Sequence, residues 1–405
     1  MEVSPSFNRK TIYYLQAELQ DRPLGKADIA EVTTERLKER TPTIRLWRHL
    51  MATTIHALRI KVSLQEPIRH DLLEKVKKTA RDLDKLNAQL RDPKNIANIP
   101  VTGPEIGEHT VRFHELDLFP PAEGQTDTRT PVILIGGGPS SGEKGVVPLS
   151  LALALAGHRV FIPTYPEKSL TKPRDWQLRI AKYAQNSFRL HQEVFTQAIV
   201  GLTKEKNITQ IDLMGNSVGG YMALMIAANP PENISIRHVT SIAPVGFEDI
   251  PLPKRIWQFT TQHSAQIAAH IEDKIKMSLE GENSVLPKPL DWLVLATLSC
   301  KKMFTPNVLA RIQAQTCVIY TGDSDPLVNY RKIEETIAAT DNANISIKTA
   351  ILEDCRHAGA ITHPFGFLKV VEDQQDETPS AHAIFNINRT GSPIEKLLQD
   401  SLSEV

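Results

Sequence analysis

Between Pro131 and Glu353 the chain repeats one pattern, a short continuous apolar run followed by a longer stretch with helical spacing. The runs are "PVILI", "RVFIP", "ITQIDLM", "IRHVTSIAPV", "TCVIY" and "ISIKTAILE". Apolar runs with little polar alternation suit strands covered on both faces, as parallel strands are when helices flank them. The stretches between them include "LSLALALAG", Arg174 to Gly201, "GYMALMIAANP" and "VNYRKIEETIAA", and they read as helices. Gly157 and the pair Asn229-Pro230 mark two helix ends. Strand and helix joined in turn by short connections predict an α/β fold, a mostly parallel sheet flanked by helices.

The pattern has limits that suggest three regions. Residues 1–107 read as a helical N-terminal region. In it, Asp71 to Leu90 sets Leu72, Leu73, Val76, Ala80, Leu83, Leu86 and Leu90 at three- and four-residue steps, one apolar stripe. A second helix is expected over Thr43 to Val62. Residues 108–372 form the α/β core, opened by the alternating strand "HTVRFHELDL". Within the core the alternation breaks over 247–309, which reads as a helical insertion. Residues 373–405 are polar and are expected to be partly disordered, with a short helix at "SPIEKLLQDSL".

Composition removes several function classes. Lys plus Arg number 47 and Asp plus Glu number 47, so there is no general basic excess for nucleic acid. The cysteines, Cys300, Cys317 and Cys355, are odd in number and far apart, which suits a reducing compartment better than a disulfide framework. The N-terminus lacks the apolar segment of a signal peptide and no run spans a bilayer, so a cytoplasmic location is expected. "GGGPSSGEKG" has part of a phosphate-loop spacing, but Glu143 stands where that loop needs lysine. No zinc motif is present, and no cofactor is implied.

One stretch carries chemistry. "IDLMGNSVGG" places Ser217 between Gly215 and Gly219, after a buried strand and before an apolar helix. This fits G-x-S-x-G, in which a strained bend holds a serine outward for attack and the flanking positions must be small. Two later loops follow strands. "YTGDSDPLVN" offers Asp325, with Asp323 as the second candidate, to orient a histidine. "EDCRHAGA" offers His357 as the base, with His363 in "THPFG" as the alternative. Each also has a bland reading, since aspartates form turns and loop histidines are commonly just solvated. The chain order Ser, Asp, His is what favours the joint reading. An oxyanion donor is expected at the Val218 amide, at a helix N-terminus.

On "LMGNSVGG", "TGDSDPLV", "CRHAGA" and "LIGGGPSSG" the chain resembles the α/β-hydrolase superfamily over about residues 108–370. The resemblance implies an α/β-hydrolase core with a helical cap over 247–309. It implies Ser217 as nucleophile, His357 as general base and then acid, and Asp325 as the group that fixes the imidazole. It places the second oxyanion donor after "VILI", where Gly136-Gly137-Gly138 replaces the histidine-glycine of many members, with the Gly138 amide best placed. Serine at the bend argues against the dehalogenase and epoxide hydrolase branches, which use aspartate. The implied activity is hydrolysis of carboxylic esters or thioesters, lipids among them, by an acyl-enzyme. Acyl transfer by the same residues, or a non-catalytic scaffold that binds a partner, are the alternatives. Trp292 and Leu295, in "PLDWLVLATLSC", are candidates for lining an apolar acyl pocket.

Overall fold

The structure is a computed structural model that describes residues 82–371, apart from 138–141, 166–187, 259–298 and several shorter stretches, together with 382–386. Nine strands form one sheet in the order β1-β2-β4-β3-β5-β6-β7-β8-β9. They are β1 (Ile96–Gly103), β2 (Gly107–Leu116), β3 (Val132–Ile135), β4 (Val160–Pro163), β5 (Gln210–Asn216), β6 (Ser235–Ile242), β7 (Thr316–Gly322), β8 (Ile347–Glu353) and β9 (His382–Asn386). Only β2 runs against the rest, since it pairs antiparallel with both β1 and β4 while every other pairing is parallel.

Burial explains why these segments are strands and where each sits. All four residues of β3 and of β4 are buried, and β5 is buried from Ile211 to Asn216. These are inner strands, covered on both faces, hence their unbroken apolar runs. β1 and β2 instead alternate buried with exposed positions, as half-covered strands do.

The helices supply the covering layers. They are α1 (Gly142–Leu155), α2 (Arg189–Glu205), α3 (Val218–Ala228), α4 (Leu252–Trp257), α5 (Pro306–Leu309), α6 (Tyr330–Ala338) and α7 (Gly359–Thr362). α1 packs on β3 and β4 and against α7, whereas α2 and α3 pack on each other, with α3 over β3, β5 and β6. α3 is apolar around its whole circumference, with ten of its eleven residues buried, as a helix between a sheet and further helices must be. α2 is amphipathic and buries Val194, Phe195, Ala198, Ile199 and Leu202.

The sheet draws strands from both flanking regions of the sequence. β1 lies before residue 108 and β9 after residue 372. β1 is bound to the core: Ile99 is buried, and a Cβ on Gly201 of α2 would run into its Cγ2. The end of the helix expected over Asp71 to Leu90 is described, with Leu86 fully buried. It is fastened to the end of β2, because the Gln89 side chain donates to the Asp117 carbonyl (2.7 Å) and accepts from the Asp117 amide (3.0 Å). The helix over Thr43 to Val62, most of the 247–309 insertion and the helix at "SPIEKLLQDSL" lie outside the described residues.

Charged pairs collect at one end of the sheet. Arg129 bridges Asp117 and Asp127, Arg159 and Lys206 share Glu115, and Arg237 pairs with Asp212. All stand where the parallel strands begin, which leaves the other rim, where they end, for the loops that follow β5, β7 and β8. Ile99→Ala is expected to lower stability by about 2–5 kcal/mol in urea unfolding, as loss of a core side chain does, because β1 is part of the folded unit.

Candidate active site

The site begins with one residue in a conformation that side chains avoid. Ser217 has φ 55° and ψ −113° at the junction of β5 and α3. A residue other than glycine in such a region costs about 1–3 kcal/mol and persists only where its surroundings over-determine it. Here the Ser217 amide donates to the Ile242 carbonyl (2.7 Å), and its carbonyl accepts from the Tyr221 amide (3.0 Å). The flanking glycines are obligatory on steric grounds. A Cβ on Gly215 would overlap the backbone of Gly219, and one on Gly219 would overlap the carbonyls of Ile135 and Gly136. Ser217 is the N-cap residue of α3, but its hydroxyl makes no capping bond.

That hydroxyl instead faces His357. The Ser217 Oγ to His357 Nε2 distance is 2.9 Å, and His357 Nδ1 lies 2.8 Å from Asp325 Oδ2. A carboxylate only accepts, so Nδ1 carries the ring proton and Nε2 is left to accept from the serine. The second oxygen, Asp325 Oδ1, accepts from the amides of Leu327 (2.8 Å) and Val328 (3.2 Å). The Asp325 side chain is 0% exposed and that of His357 is 5% exposed, so these bonds are shielded from competing water.

Topology brings the three together. β5, β6, β7 and β8 are successive neighbours, and their registers align Asn216 with Ile242, Ile242 with Tyr320, and Gly322 with Leu352. Their ends therefore form one rim, with Ser217 after β5, Asp325 after β7 and His357 after β8. Asp323, the second candidate acid, is exposed, and its amide donates to the Leu352 carbonyl. His363, Gly138, Trp292 and Leu295 lie outside the described residues.

The loop after β3 passes beside the serine. A Cβ placed on Gly137 would lie 3.3 Å from the Ser217 Cβ and would press on Asn216 Oδ1. The Val218 amide opens α3 and so has no acceptor within the helix. Tyr165, which sequence reasoning did not single out, braces this loop by donating its hydroxyl to the Gly136 carbonyl (2.8 Å). Arg255, also not singled out, is 1% exposed and donates to the Leu327 carbonyl (2.6 Å). Nothing in "PLPKRIW" distinguishes that arginine from a solvated one. Asn216 is buried, and its Nδ2 has no hydrogen-bond partner among the described residues.

No family model and no curated protein sequence matches the chain. Solved structures do resemble it. One is a carboxylesterase from Bacillus subtilis, at 13% identity over 75% of this chain and 99% of that one, with TM-score 0.42. A bromoperoxidase from Bacillus anthracis gives 16% identity, 70% and 100% coverage and TM-score 0.47. A 2-hydroxy-6-oxo-6-phenylhexa-2,4-dienoate hydrolase from Rhodococcus sp. strain RHA1 gives 15%, 70% and 99%, with TM-score 0.46. At such identities and scores these proteins lend this chain no activity. What decides the architecture is its own strand order, with the second strand reversed and a serine bend between the central strand and its helix.

This is the α/β-hydrolase fold. In an open α/β sheet of this kind, ligands gather where the parallel strands end, which is the rim that holds Ser217, Asp325 and His357. Among the described residues no group of three or more His, Cys, Asp or Glu side chains is placed to hold a metal ion, and no helix is long and apolar enough to cross a membrane.

A thiol also lies close by. Cys355 is buried two residues before His357, and burial, then the negative charges of Asp325 and Asp323, push it up to about 12. Burial alone takes Cys317 to about 12 as well. Raising a thiol in this way keeps it protonated and a poor nucleophile at neutral pH. Folded protein at pH 8 is therefore expected to leave Cys355 and Cys317 unmodified by iodoacetamide, with both alkylated after unfolding, as peptide mass mapping would read out.

Proposed function

We propose that the protein is a serine hydrolase of carboxylic esters or thioesters. The observation that carries this reading is the chain of contacts from Asp325 through His357 to Ser217 on a strained bend. Each member supplies what acyl transfer needs. Ser217 Oγ attacks the carbonyl carbon of the substrate while its proton passes to His357 Nε2. Asp325 holds the ring in the tautomer that can receive that proton and stabilises the imidazolium that results. The carbonyl oxygen, now an oxyanion, is taken up by the Val218 amide and by an amide of the loop after β3, for which Gly138 is our candidate.

The intermediate collapses by breaking the bond to the alcohol or thiol. The leaving group takes the proton from Nε2, and the acyl group stays on Ser217. Water then attacks the acyl carbon and gives a proton to Nε2. Collapse of the second intermediate releases the carboxylic acid and returns that proton to Ser217. Nothing in this cycle calls for a metal or an organic cofactor. A small-molecule acyl substrate fits a reaction carried entirely by side chains and backbone amides.

Ser217→Ala is expected to abolish labelling by a fluorophosphonate probe and to lower kcat on p-nitrophenyl butyrate by at least about a thousandfold, with the melting temperature nearly unchanged. Asp325→Asn should lower kcat by about ten-thousandfold, because an amide facing Nδ1 no longer enforces the productive tautomer. Labelling that survives Ser217→Ala would reject the reading.

The substrate class extends the proposal. We assign an apolar acyl pocket to the insertion, with Trp292 and Leu295 as its candidate lining. A p-nitrophenyl ester series is then expected to give higher kcat/KM for medium or long acyl chains than for acetate, and a maximum at acetate would overturn that assignment.

A further inference from the structure

Arg255 poses a problem that its packing does not solve. It sits on α4, is 1% exposed and forms no ion pair among the described residues. Its guanidinium donates to two backbone carbonyls, Leu327 (2.6 Å) and Ser299 (3.0 Å), and to the Gln258 side chain (3.2 Å), while Nε has no partner among the described residues. Burying a cation without a bonded carboxylate is costly, and an apolar side chain of similar volume generally fills such a space better. Burial pulls the guanidinium down from its usual value, with the negative charges of Glu248 and Asp325 among those opposing. Starting so high, it stays protonated at neutral pH.

The carbonyl it holds most closely explains the charge. The Leu327 carbonyl belongs to the peptide group whose other end is the Val328 N–H. That N–H donates to Asp325 Oδ1, as does the Leu327 N–H one peptide earlier. A single peptide dipole therefore lies between a buried cation at its oxygen and a buried carboxylate at its hydrogen. Both charges polarise it in the same sense, so each strengthens the other's hydrogen bond in a site shielded from water. The line continues through Asp325 Oδ2 to His357 and Ser217.

We infer that Arg255 is a positioning residue for the proposed reaction: through the Leu327–Val328 peptide it fixes the orientation of the Asp325 carboxylate, and through the Ser299 carbonyl it fastens the return end of the insertion to the same point. It touches no reacting atom. The inference rests on the serine hydrolase reading and deepens it, because it assigns to a residue on α4 part of the control of the triad's geometry.

The test uses the full chain, p-nitrophenyl butyrate and a fluorophosphonate probe. Arg255→Ala is expected to lower kcat by about ten- to a hundredfold with KM within about twofold, the mark of a misplaced catalytic group rather than a lost binding contact. Guanidinium chloride at tens of millimolar should restore much of that kcat by refilling the vacated site, and potassium chloride at the same concentration should not. Arg255→Lys keeps the charge but cannot span both carbonyls, so it should lose about tenfold in kcat at unchanged KM. Wild-type kcat in folded Arg255→Ala, or a loss that guanidinium does not relieve, overturns the inference. If Arg255→Ala does not fold, Arg255→Lys decides it: the tenfold loss supports the positioning role and wild-type kcat rejects it. Wild-type protein that the probe does not label at all would instead sink the hydrolase reading itself, a result distinct from labelled protein indifferent to changes at Arg255.

Discussion

The bond from the Ser217 amide to the Ile242 carbonyl is the constraint on which the site depends. It joins the end of β5 to the end of β6 while the backbone at Ser217 takes a left-handed value. It thereby anchors the residue from which α3 starts. The two glycines make the same demand by exclusion, since any side chain at either would meet backbone that cannot give way. Strain of about 1–3 kcal/mol is affordable here because α3 is almost wholly buried against the sheet.

The carboxylate of the site is buried where hydrogen bonds replace its water. Asp325 is fully enclosed, and both of its oxygens are engaged, one by His357 and one by two amides. The bland and the chemical readings of this aspartate thus describe the same side chain. It is a turn former through Oδ1 and a partner of the imidazole through Oδ2. Asp323 is two residues earlier and exposed, and it does neither.

Much of this was legible in the sequence, for a physical reason. Inner parallel strands are largely apolar, so "VILI" and "VFIP" announced themselves, and a bend as tight as the one at Ser217 leaves glycines at fixed spacing. The outermost strands carry weaker marks. β1 contains Pro100, which an edge strand tolerates because one side of it needs no donor, and so its sequence reads as interrupted. β9 is five residues long in a polar setting. Arg255 was silent because its meaning comes from a carbonyl seventy-two residues away, a relation that no local pattern encodes.

The position of β9 has a consequence for the molecule as a whole. It pairs with β8 from Thr349 to Glu353, the strand that delivers His357 to the rim. A chain cut back to the segment with obvious strand and helix alternation would leave that flank of β8 with a row of unsatisfied main-chain donors and acceptors, an open invitation to pair with another copy. β9, drawn from a polar stretch unremarkable by composition, is thereby the selvedge of the sheet beside the histidine-bearing strand.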